Sequence, residues 1–274
     1  MARTALLNVM VSAADKAGRS LARDFGEVEN LQVSRKGPAD FVSKADMRAE
    51  EILYRELSRA RPSYGFLMEE RGAVEGSDRQ HRWIVDPLDG TTNFLHGVPI
   101  FAVSIALERQ GELVAGVVYN PVMDELYVAE RGQGAFLNDR RRLRVSARTE
   151  LSDCLIGTGL PFLGHGNQVR TLAELQPLFG RVAGVRRPGA AAIDLAWTAA
   201  GRYDGFWEHD LSPWDVAAGI VIVREAGGFV SDADGRDRPL VTGSVVAGNE
   251  TVHRALLKVI ADAQRVGPRA SATT

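Results

Sequence analysis

The sequence predicts an α+β half joined to an α/β half, and two observations carry that prediction. Between Phe101 and Arg131, three β-rich segments follow one another with only short turns between them. Beyond Arg144, strand-like and helix-like segments alternate. Runs of neighbouring strands build antiparallel meanders, whereas alternation builds α/β layers. The chain has 274 residues. At roughly 150 residues per domain that fits one large domain or two modest ones, and the expected division is 1–139 and 140–274.

Taken in order, Leu6, Met10, Ala13, Ala17, Leu21 and Phe25 recur at three- and four-residue steps. That spacing predicts an amphipathic helix ending near Gly26. The helix reading, with Asn8 interrupting the apolar run, argues against a signal peptide. LQVSRKGPADFVSKAD reads as a short strand or hairpin turning at Gly37-Pro38. Asp46 can cap a helix from Met47 to Arg61, which Pro62 closes. GFLMEE reads as a buried strand ending in two acids, GAVEGSDRQHR as a polar loop, and Trp83 to Val85 as a short strand. The meander follows as FAVSIALE, ELVAGVVYN and ELYVAER, and Gly132 and Gly134 are expected to break it. In the second half, CLIGTGL, RVAGVRR, YDGFWE and SVVAG read as strands. Helices are expected over Asn167–Leu178, Ala190–Ala200, Trp214–Ala226 and Thr251–Val266. Gly227-Gly228 supplies a C-terminal stop.

Hydrophobic residues make up 45% of the chain and charged residues 25%, so it can bury a core without staples. The net charge of −2 gives no drive toward nucleic acid or an anionic membrane. Cys154 is the only cysteine, which excludes an intramolecular disulfide and a thiolate cluster and fits a reducing compartment. No apolar run reaches the ~18 residues of a membrane span. A cytoplasmic protein is expected.

The acids are the informative residues. Glu69 and Glu70 follow Gly65-Phe66-Leu67-Met68; Asp86 and Asp89 follow Trp83-Ile84-Val85; Asp215 follows Pro213-Trp214. Carboxylates against bulky apolar residues are costly unless paired, hydrogen-bonded or bound to a cation. Asp-Pro-Leu-Asp-Gly is compatible with a turn bearing an Asx cap. For such a segment alone the turn is the stronger reading; the alternative is a hard dication held by Asp86, Asp89 and an inward Leu88 carbonyl. The five histidines are scattered, so zinc is not indicated. A helical turn starting at Gly90-Thr91-Thr92-Asn93 could hold a phosphate on its free N–H groups. Asp46 by itself reads as a helix cap.

The two segments WIVDPLDGTTNF and WDVAAGIVIVREAGG together resemble the signatures of the inositol monophosphatase family. The resemblance implies a layered αβαβα sandwich, shared with fructose-bisphosphatases, and a metal-dependent phosphomonoesterase acting by in-line attack of a metal-activated water. It implies Mg²⁺, two or three ions, with Mn²⁺ as an alternative. Glu69, Asp86, the Leu88 carbonyl, Asp89 and Asp215 would be the ligands, and Asp46, Thr91 and Glu69 would act on the water. Gly90, Thr91, Thr92, Gly189 and Glu208 would contact the substrate, and Lys36 would lie near the active-site loop. A homodimer and lithium inhibition are also implied. Met68 departs from the family's usual glycine, and Pro188 and Ala190 depart around Gly189, which weakens the case for a standard inositol pocket. His209 reads as a surface or rim histidine.

Inositol 1-phosphate is the expected substrate, with histidinol phosphate or another small phosphate ester as the alternative. A transcription- or RNA-associated role is the rival from another class. The resemblance admits it, since some bacterial family members act with the transcription machinery, and Arg140 to Arg144 and Arg186-Arg187 motivate it; short arginine runs are ordinarily solvated.

Overall fold

The computed structural model describes residues 3–26, 33–35, 41–162 and 164–266. Five layers stack as helices, sheet, helices, sheet, helices. Helices α1 (Ala5–Phe25) and α2 (Lys44–Ala60) form the first layer. Between them in the chain, the short strands β1 (Val33–Arg35) and β2 (Phe41–Ser43) pair antiparallel; the turn expected at Gly37-Pro38 lies outside the described residues. The first sheet contains β3 (Tyr64–Met68), β4 (Gly72–Val74) and β5 (Asp78–Asp89); the short helix α3 (Thr91–Leu95) then intervenes. It continues with β6 (Ala102–Arg109), β7 (Glu112–Asn120), β8 (Glu125–Glu130), β9 (Gly134–Leu137) and β10 (Arg141–Arg142). The spatial order is β10-β9-β8-β7-β6-β5-β3-β4.

The second half adds β11 (Leu155–Thr158), α4 (Gln168–Leu175), β12 (Gly184–Arg186), α5 (Ala191–Ala199), β13 (Gly205–Glu208) and α6 (Pro213–Glu225). It ends with β14 (Phe229–Ser231), α7 (Pro239–Thr242), β15 (Val245–Gly248) and α8 (Glu250–Val266). Its five-stranded sheet runs β12-β11-β13-β15-β14. Strand β11 pairs in parallel with β12 and β13, while β15 pairs antiparallel with β13 and β14.

Side-chain alternation assigns each face of the first sheet. Trp83 and Val85 of β5 join Leu7, Met10, Leu21, Leu53 and Leu57 under α1 and α2. Ile84, between them in the chain, faces the other way with the buried residues of α5 and α6. Those helices are apolar all round because they lie between two sheets: Ile220 and Ile222 share a core with Ala102 and Val118 on one side and Phe206 and Val245 on the other. Each such aliphatic side chain contributes about 1.5–3 kcal/mol on burial. A third core joins Ile156, Trp207 and Val246 to α4 and α8. Gly116 of β7 shows how close the layers come, because a Cβ there would sit 2.5 Å from the Ala218 carbonyl oxygen of α6.

Four expectations need correction. The second helix starts at Lys44, so Asp46 is a buried residue of its first turn and not its cap. Residues 72–82 are not a loop: β4 and the first half of β5 occupy most of them. Their polar composition reflects a partly exposed stretch of sheet. The meander does not break at Gly132 and Gly134, which have φ of 78° and 83°; they make a turn into β9. The second sheet gains an unforeseen strand, β14, and is mixed.

Candidate active site

The first sheet places the acids by register. Strands β3 and β5 run parallel with Met68 opposite Val85. The next residue on each is therefore an acid, Glu69 beside Asp86. On the other side of β5 the register with β6 passes from Asp86–Ser104 to Asp89–Ala102. Pro87 and Leu88 together face Val103, which is a β-bulge; bulges re-aim side chains and end pairing at sites. Proline suits such a position because it has no N–H to give a ladder. The Leu88 N–H donates to Asp86 Oδ1 at 2.8 Å, so the turn reading holds locally, with an Asx turn inside the bulge. Gly90 then has φ +92° and starts α3. Any Cβ there would sit 2.9 Å from the Ile100 carbonyl oxygen.

The second half delivers the other walls. The Ala192 N–H, in the first turn of α5, donates to Asp89 Oδ2 at 2.7 Å. Asp215 lies in the first turn of α6, and the Ser212 N–H donates to its Oδ2 at 2.7 Å. Ser104 Oγ donates to the Trp214 carbonyl at 3.2 Å, tying the start of α6 to β6. Asn93 Nδ2 donates to the carbonyls of Ile100 (2.7 Å) and Pro188 (2.9 Å), which pins the segment carrying Gly189 against the end of α3.

These elements enclose a cleft of about 710 Å³. Glu69, Asp89, Gly90, Thr91, Thr92, Gly189, Glu208 and Asp215 line it. Asp86 lies beneath, buried, and shares a side-chain hydrogen bond with Asp215. Ligand oxygens of Asp46, Glu69 and Glu70 lie within 4.8 Å of one another. Thr91 Oγ1 donates to the Leu88 carbonyl at 3.0 Å. Every site residue expected from the sequence is thus in or against one cleft, except Lys36, which lies outside the described residues. Sequence reasoning named Glu70 among the strand-end acids and Asn93 in the Gly90–Asn93 turn without giving either a site role of its own. It missed Arg187 and the Ala192 N–H, which depend on neighbours distant in the chain.

The electrostatics follow from burial. Desolvation pushes the Asp86 carboxyl well above its ordinary value, with repulsion from Glu69, Asp89, Asp215 and Asp46 adding to it. Burial also raises Asp89, with Asp215 next, against the Ala192 N–H. Asp215 is raised to about 6 by burial, against the Ser212 N–H and the bond with Asp86. Glu208 is raised to about 8, mainly by burial and then by Asp215, with Arg187 opposing. None of Asp86, Asp89 and Asp215 forms an ion pair with Lys or Arg among the described residues. A donor set made only of hard oxygens, carrying surplus negative charge, fits a hard dication. The same set would not suit a soft metal.

Residues 2–266 match the inositol monophosphatase family. The chain belongs to that family. It is 69% identical over 260 residues to the inositol-1-monophosphatase of Mesorhizobium japonicum, covering 95% of this chain and 97% of the relative. It is 46% identical to the Nus factor SuhB of Pseudomonas aeruginosa, over 93% of this chain and 95% of that one. The crystal structure of the extragenic suppressor protein SuhB from Bartonella henselae superposes with a TM-score of 0.91 at 60% identity, covering 94% of this chain and 98% of that one. The protein is accordingly a phosphatase of a metal-dependent family, with a phosphate monoester as its substrate. No helix among the described residues is long and apolar enough to cross a membrane.

Proposed function

We propose that the protein hydrolyses inositol 1-phosphate with Mg²⁺, two or three ions, and that Mn²⁺ substitutes. The observation behind this is the convergence of carboxylates from the end of β3, from β5 and from α6 on one cleft, with no Lys or Arg among the described residues paired to Asp86, Asp89 or Asp215. Glu69, Asp86, the Leu88 carbonyl, Asp89 and Asp215 would hold the ions. When bound, the ions supply charge neutralisation on phosphate oxygens and acidify water. Thr91, its hydroxyl fixed on the Leu88 carbonyl, and Asp46 orient the attacking water, with Glu69 accepting from it. Gly90, Thr91 and Thr92 border the phosphate. Glu208 and Gly189 border the alcohol that leaves. The phosphoryl group needs positioning and charge stabilisation more than covalent help.

The relative from Mesorhizobium japonicum bears the name of this activity, which supports the substrate. A cytoplasmic homodimer completes the reading. Phosphate release across inositol 1-phosphate, histidinol phosphate, fructose 1,6-bisphosphate and a nucleoside 3′-phosphate tests it. The first is expected to give the highest kcat/KM, and only with Mg²⁺ present; preference for histidinol phosphate would overturn the substrate.

A further inference from the structure

We propose that His209, held by the buried carboxylate of Glu174, is a specificity-determining residue that contacts a hydroxyl of the departing alcohol. The inference deepens the polyol-phosphatase reading and rests on it.

His209 follows Glu208 directly at the end of β13 and lines the cleft. Its ring is mostly covered, with 10% side-chain exposure, so it is no surface histidine. Nε2 lies 3.0 and 2.9 Å from the two oxygens of Glu174. Glu174 has 1% side-chain exposure and accepts a second hydrogen bond, from Trp207 Nε1 at 3.1 Å. A carboxylate accepts only, so Nε2 carries the proton and the ring is fixed in orientation. No group among the described residues hydrogen-bonds to Nδ1. That atom accepts in the neutral ring and donates in the charged one.

The hold is tighter than a rim loop requires. Arg170 pairs with Asp210, the residue after His209. Arg170 and Glu174 stand four apart on α4 and so share a face of that helix. One helix face therefore grips two consecutive residues. The backbone between them is sharply bent, with Asp210 at φ 62°. A left-handed non-glycine residue is uncommon and persists where its surroundings enforce it. Burying Glu174 costs free energy that its two N–H partners offset. The product of that cost is one oriented imidazole lining the same polar cleft as Glu208. A leaving alcohol rich in hydroxyls is the ligand class that uses it, and hydrogen bonds to substrate hydroxyls discriminate more sharply than apolar contacts.

The test is the ratio of kcat/KM for inositol 1-phosphate to that for p-nitrophenyl phosphate, whose leaving group has no spare hydroxyl. In Mg²⁺-saturated His209→Leu the ratio is expected to fall on the order of tenfold, the worth of one hydrogen bond, with the loss in KM and not in kcat. His209→Asn keeps a polar atom near the Nδ1 position and should recover much of the ratio. Glu174→Gln, which frees the ring but keeps the volume, should lower it by less than His209→Leu does. Equal loss on both esters, or an unchanged ratio in His209→Leu, would overturn the inference and leave the proposed activity standing. If wild type ignores inositol 1-phosphate but cleaves glycerol 2-phosphate, the substrate reading fails, and the same ratio on glycerol 2-phosphate decides His209. Wild type inactive on all three esters would end both.

Discussion

Two carboxylates of this chain, Glu125 and Asp86, are covered by the same first sheet and behave in opposite ways. Glu125 begins β8 and meets Arg202, whose Nη1 donates to Oε2 at 2.8 Å. Tyr127 donates to it at 2.6 Å and Trp197 at 3.3 Å. Burial pushes the Glu125 carboxyl up, yet the Arg202 and Tyr127 hydrogen bonds outweigh it and hold the group below its usual range. Asp86 has backbone N–H help from Leu88, a bond to Asp215, and acids all round it, and it is pushed well up. A partly buried acid with its own guanidinium is a structural fastening. A cluster of fully buried acids without one is what the proposed cation would balance. The difference lies in what balances the charge and in how deeply each group is buried.

Mutation should separate the two cases. Asp86→Asn should lower Mg²⁺-dependent phosphate release on the order of a thousandfold, comparable to losing a central electrostatic group. The metal-free protein should melt no lower than wild type, since the change removes a repelling charge. Near-normal turnover in Asp86→Asn would break the comparison at its functional end. Arg202→Met should do the reverse: about 2 kcal/mol of stability lost, discounted from a fully buried pair because Arg202 is one-third exposed, with turnover at saturating substrate retained. Denaturant unfolding measures it, and an unchanged midpoint would remove the structural role from the Glu125 pair.

How far the sequence reveals this depends on the range of the interaction. The layered fold is legible because period-two and period-3.6 patterns mark which faces are buried. The Asp86-to-Asn93 segment is legible because a bulge, a left-handed glycine and a short helix start demand particular residues in succession. The first half of β5 is illegible because Asp78 to Arg82 carry polar side chains on an exposed stretch, and strand pairing outweighs their loop-like composition. Asp46 was misread as a cap because its burial comes from tertiary neighbours. Glu174 and His209 are 35 residues apart and neither stands in a motif. Their meeting follows from α4 packing against β13 and cannot be read along the chain.

The central claim is that a divalent cation balances the charge of the cleft acids, and thermal unfolding across pH tests it most directly. In EDTA, the folded-state values of Asp86, Asp89, Asp215 (about 6) and Glu208 (about 8) lie above those of the unfolded chain near 4. Their contribution to stability is therefore full below about pH 4 and is lost as pH rises through the folded values. Mg²⁺ binds the deprotonated acids, so it should raise Tm by several degrees at pH 8 and by much less at pH 5. Asp86→Asn should shrink that gain. A Tm gain equal at both pH values, or none at pH 8, would contradict the account.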